Sequence, residues 1–106
     1  MTNIYVIKGD ALYDINFTLD DAQGNPINLT GATITMDVQL QGTPELAFTG
    51  TLAIVSATDG TCSYTVQVGD FNLVGYYYAE IEVLYGSGKL ISFNDISIIV
   101  QSDLPK

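Results

Sequence analysis

Residues 75–85 read GYYYAEIEVLY. Tyr77, Ala79, Ile81 and Val83 alternate with Tyr76, Tyr78, Glu80 and Glu82, and a period of two places each set on its own face of a β-strand. The three adjacent tyrosines therefore do not form one patch. The odd-numbered set suits a core and the even-numbered set suits solvent or a partner. Tyr77 also opens a penultimate strand just after the loop GDFNLVG, residues 69–75. In a sandwich domain that is the place of a tyrosine corner. Its ring is expected in the core, with its hydroxyl bonded to backbone upstream, near Asp70 to Leu73. Outward Tyr76 and Tyr78, beside Glu80 and Glu82, read equally as a contact patch for protein or sugar and as an exposed face of β-favouring residues.

The same alternation recurs along the chain. A short first strand is expected around Ile4 to Lys8, followed by a strand in which Ala11, Tyr13, Ile15, Phe17 and Leu19 face the core. DDAQGNP, residues 20–26, reverses the chain, because Gly24 and Asn25 tolerate positive φ and Pro26 fixes its own. Ala32, Ile34, Met36, Val38 and Leu40 then share one apolar face. Gly42, Thr43 and Pro44 break the pattern, and Leu46 to Val55 reads as one or two short strands near a sheet edge. TDG at 58–60 marks a tight turn into a strand with Cys62, Tyr64, Val66 and Val68 on one side. The 69–75 segment is a crossing loop with room for one helical turn. A hairpin at 86–88 leads to a last strand, Lys89 to about Val100, in which the apolar phase slips between Phe93 and Ile96. A bulge near Asn94 would account for the slip. The tail from about residue 101 is expected to fray. No stretch keeps the 3.6-residue period of a helix. The fold class is all-β, an immunoglobulin-like antiparallel β-sandwich of seven to eight strands, with residues 1–106 as a single domain.

Composition narrows the chemistry. The chain has 106 residues, a formal charge of −9, three lysines (Lys8, Lys89 and Lys106), no arginine and no histidine. So strong a negative balance makes nucleic acid and anionic membrane surfaces poor partners. Without imidazole, histidine-based acid–base catalysis, triads and the usual zinc sites drop out. No apolar run approaches the roughly 20 residues of a membrane helix, so a soluble protein is expected. Met1 to Lys8 lacks the pattern of a secretory signal, so the chain is either made for the cytoplasm or supplied already trimmed, and an internal origin is favoured. Cys62 has no partner for a disulfide within the chain and reads as a buried small hydrophobe.

Glu80 and Glu82, at i and i+2 of a strand, are better read as a solvated face than as a glycosidase pair. Asp20, Asp21 and Asn25 lack the regular spacing of a calcium loop. Gly86 and Gly88 open a strand rather than a helix, so they do not cradle phosphate. No catalytic residue, metal site or cofactor is expected. Two segments are candidate contact regions, because an edge strand can add to a neighbour's sheet. One is GTPELAF, residues 42–48, with Pro44, Leu46 and Phe48; the other is NIYVIK, residues 3–8, with Ile4, Tyr5 and Val6. Edges that only fray in solvent would look the same.

Laid out in order, these pieces resemble the N-terminal immunoglobulin-like domain of bacteriophage baseplate upper proteins. Lys8, Gly9 and Asp10 close the first strand. Gly24, Asn25, Pro26, Ile27, Asn28, Leu29 and Thr30 match the family's turn, and Gly31 and Ala32 start the next strand. Asp59, Gly60 and Tyr64 follow, then Leu73, Gly75, Tyr77 and Glu80. The likeness runs almost end to end. It implies a non-enzymatic virion structural protein, made in the host cytoplasm, that docks on other virion proteins and is a candidate homo-oligomer. Full baseplate upper proteins continue into a longer chain, so a free-standing tail or baseplate component, or a capsid decoration protein, is expected. Two other classes compete. One is a carbohydrate- or receptor-binding module using Tyr76, Tyr78 and the turn from Asp20 to Pro26. The other is an adhesion domain trimmed from a secreted protein.

Overall fold

The computed structural model describes residues 2–102. Seven strands follow one another: β1 (Thr2–Ile7), β2 (Asp14–Thr18), β3 (Thr33–Leu40), β4 (Leu46–Ser56), β5 (Thr61–Thr65), β6 (Gly75–Leu84) and β7 (Leu90–Gln101). Their lateral order is β1-β7-β6-β3-β4-β5-β2. None of the described residues is helical.

β4 turns this ladder into a sandwich. Its first part, Leu46 to Leu52, pairs antiparallel with β3, and its second part, Ala53 to Ser56, pairs with β5. The strand thus leaves one sheet and enters the other, and register slips near both of its ends, opposite Val38/Gln39 and between Ile54 and Ser56, break its inward-outward phase. That is why the sequence from Leu46 to Val55 keeps no steady period, and why a single eleven-residue strand stands where one or two short ones were expected. Five strands, β1-β7-β6-β3-β4, form one layer, and β4-β5-β2 form the other.

Between the layers lies a single apolar cluster. Ile34, Met36 and Val38 of β3, Ile81 and Val83 of β6 and Ile98 and Val100 of β7 are buried with Ile15 and Phe17 of β2 and Cys62 and Tyr64 of β5. Each such aliphatic side chain contributes about 1.5–3 kcal/mol when fully buried. Four rings extend the cluster across elements. Phe48 stacks on Tyr64 with centroids 5.8 Å apart, Phe71 meets Phe48 edge-on at 5.2 Å, and Tyr77 meets Phe71 edge-on at 5.4 Å.

The 69–75 loop forms turns rather than a helical turn, and it is tied down along its length. Tyr64 Oη donates to Asp70 Oδ2 at 2.5 Å, and the Gln67 N–H donates to the same oxygen at 2.8 Å. The Gly9 N–H donates to the Phe71 carbonyl at 3.0 Å. Tyr77 Oη donates to the Leu73 carbonyl at 2.8 Å, which is the geometry of a tyrosine corner. The bulge lies where the phase slips: Phe93 pairs with Ile81 and Ile96 with Ala79, leaving Asn94 and Asp95 across from Glu80.

Several expectations are corrected. β1 runs parallel to β7, from Thr2 beside Ile96 to Ile7 beside Gln101, so the sheet is not wholly antiparallel. First and last strands share no hairpin, and nothing forces them to be antiparallel. Val68 is 80 % exposed, because β5 ends at Thr65 and the chain turns away at Gly69. Tyr13 is exposed because it precedes β2, and Ala11 is only half-buried. Gln101 belongs to β7, and the remaining tail, residues 103–106, lies outside the described residues.

Candidate functional site: the outward face of the larger sheet

Directly paired residues on neighbouring strands project from the same face. Tyr76 of β6 pairs with Ile99 of β7, which pairs with Tyr5 of β1. One rung along, Tyr78 pairs with Ser97 on one side and with Gln39 of β3 on the other, and Gln39 pairs with Leu46 of β4. Tyr5 is 66 % exposed, Tyr76 59 %, Leu46 51 % and Tyr78 49 %. The topology therefore gathers three tyrosines and two aliphatics from four strands onto one end of one face.

Leu46 reaches this face through a second irregularity. β3 and β4 slip register between Val38 and Gln39, so Ala47 is passed over and Leu46 lands opposite outward-facing Gln39. Phe48, opposite inward-facing Val38, goes into the ring cluster instead.

The next rungs are acidic. Glu80 pairs with Asp37 and Glu82 with Thr35, so three carboxylates sit on adjacent positions of β3 and β6. The Glu82 carboxyl is held above the ordinary carboxylate range. The main cause is its hydrogen bond with Glu80; desolvation and the negative charges of Glu80 and Asp37 add to it. Among the described residues, no set of three or more acidic, cysteine or histidine side chains is arranged to hold a metal ion. Asp37, Gln39, Leu46, Tyr78 and Glu80 line an open groove of about 270 Å³. It is shallow and polar along one wall, suited to packing against a surface rather than enclosing a substrate.

Of the residues singled out in the sequence, Tyr5, Tyr76, Tyr78, Glu80, Glu82 and Leu46 come together here. Val6 does not, because it is buried at 3 % exposure on the inner side of β1. Ile4 shares that side and is half-buried against the core, and Phe48 is likewise turned inward. All three turn toward the core and so lie off this face. Pro44 is exposed in the β3–β4 loop, off the sheet face. Ile99 and Asp37 were missed as members of the site. Each alternates outward within its own strand, but only the cross-strand register reveals its neighbours.

The turn from Asp20 to Pro26 is elsewhere. Asp21 Oδ1 accepts from the Gln23 and Asn25 N–H groups at 2.9 and 3.0 Å, which fixes the turn. Asp21 and Pro26 border a cleft with Tyr85, Ser87 and Lys89, beyond the far end of β6. At about 3.3 Å per residue, the nine steps from Tyr76 to Tyr85 span roughly 30 Å. The sugar platform expected to combine this turn with Tyr76 and Tyr78 is therefore not a single site.

Two sheets joined through a shared strand, a parallel pair of first and last strands and a tyrosine corner define an immunoglobulin-like β-sandwich. The chain belongs to the family of the BppU N-terminal domain, whose model matches residues 1–106. Its family is one of phage baseplate structural domains. Among solved structures, the crystal structure of CopC from Methylosinus trichosporium OB3b is similar in fold, with a TM-score of 0.58 at 13 % identity, covering 100 % of this chain and 90 % of that one. Among curated protein sequences, none matches this chain.

Proposed function

We propose that the chain, folding as one unit over residues 1–106, is a non-enzymatic structural part of a phage tail or baseplate. It acts by docking on other virion proteins through the outward face of the larger sheet. The observation that carries this reading is the gathering of exposed Tyr5, Tyr76, Tyr78 and Leu46, with half-buried Ile99 between Tyr5 and Tyr76, from four strands onto one outward patch. A contiguous apolar patch with a polar rim is what protein interfaces present, and tyrosine is enriched in them. The family supports a baseplate location over a capsid one.

Mass spectrometry of purified particles, with copy number measured against the major capsid protein, tests the location. A few to a few dozen copies per particle is the expected result. Hundreds of copies would make it a capsid decoration protein instead, and absence from particles would overturn the reading.

A further inference from the structure

The proposed docking face is chemically divided, and the division bears on what can cover it. At one end Tyr5, Ile99, Tyr76, Tyr78 and Leu46 offer apolar area. Immediately beyond, Asp37, Glu80 and Glu82 form an acidic strip. Nothing in the chain neutralises that strip among the described residues. Lys89 lies over the Tyr85 ring, 5.6 Å from its centroid, beyond the far end of β6, and Lys8 follows the end of β1. The carboxylates crowd one another enough that Glu82 holds its proton unusually well.

A second copy of the chain is a poor occupant. Each copy carries a net charge of −9, so pairing this face with itself would add more carboxylates and no cation. Like charges brought together at an interface are costly, whereas opposite charges fix register and speed encounter. Resting on the docking reading above, we infer that the occupant is a different protein surface, one presenting an apolar anchor to the tyrosine end and lysine or arginine side chains to the Asp37–Glu80–Glu82 strip. The tyrosines then exclude water from the neighbouring charge pairs, which strengthens them.

Footprinting of the free chain and of the chain in purified particles tests both layers. Carboxylates are probed with carbodiimide and glycine ethyl ester, and tyrosines with hydroxyl radicals. In particles, Tyr5 and Tyr76 are expected to become protected, and coupling at Asp37, Glu80 and Glu82 is expected to slow at least fivefold. Glu80→Lys with Glu82→Lys is expected to reduce incorporation into particles at least tenfold. Asp10→Lys with Asp59→Lys, the same change of net charge placed off the face, should leave incorporation unchanged. Protected tyrosines beside fully reactive carboxylates would overturn the cationic partner and leave docking intact. Equal incorporation of the two double variants would do the same. Tyrosines as reactive in particles as in the free chain would overturn docking itself. Cross-links from Glu80 or Glu82 only to lysines of another copy of this chain would replace the inferred partner with a homotypic one.

Discussion

Gly50 of β4 shows how tightly single residues are specified. A Cβ placed there would lie 2.3 Å from Cε1 of Tyr64, whose ring is held by its bond to Asp70 and by stacking on Phe48. Because the ring has no room to retreat, Gly50→Ala is expected to cost about 1–3 kcal/mol of stability, read as a lower denaturant midpoint. Tyr77 makes a second such point. Tyr77→Phe keeps the ring in the core but leaves the Leu73 carbonyl without its donor. The expected loss is about 1 kcal/mol, or a fall in Tm of roughly 4–8 °C for a domain of this size. An unchanged unfolding curve would deny the corner a stabilising role. Cys62 is fully buried and its thiol is pushed up to about 11 by that burial. Thiol-directed reagents should therefore leave the native protein unmodified at neutral pH and label it only as it unfolds; rapid labelling without denaturant would contradict its core placement.

At the scale of elements, strands with one buried face could be read from sequence, and strands that change allegiance could not. β3 and β6 alternate cleanly because each stays in the middle of one sheet, so Ile34, Met36 and Val38, like Tyr77, Ala79, Ile81 and Val83, announced themselves. The β7 bulge was visible too, because the apolar phase slips within one strand. β4 defeats the same reasoning. It crosses between sheets and carries its own register slip, so Leu46 and Phe48, two residues apart, face opposite ways. The parallel pairing of β1 with β7 leaves no local trace, since pairing between chain ends is set by the whole fold. For that reason Tyr5 and Tyr76 were each picked out, but in separate contact regions. Their union with Ile99 needed the topology.

For the molecule as a whole, charge is the dominant surface property, and its effect on stability has a defined sign. The folded-state value of Glu82 is raised above its unfolded value. Its favourable contribution is therefore complete below the unfolded value and is lost as pH rises through the folded one. Glu82→Gln is accordingly expected to raise Tm slightly at pH 7 in low salt and to leave it unchanged near pH 3, where the wild-type carboxyl is already protonated. In about 1 M salt, where the screening length falls to about 3 Å, the gain at pH 7 should shrink. A lower Tm at pH 7 would mean that the Glu82 charge stabilises the fold. A costly strip of like charge beside a tyrosine patch makes physical sense if a partner of opposite charge covers both. The most direct measurement is an electron cryomicroscopy reconstruction of the assembled particle at side-chain resolution. The expected result is that Tyr5, Ile99, Tyr76 and Tyr78 are buried against another virion protein; that face open to solvent, with contacts made elsewhere on the sandwich, would contradict it.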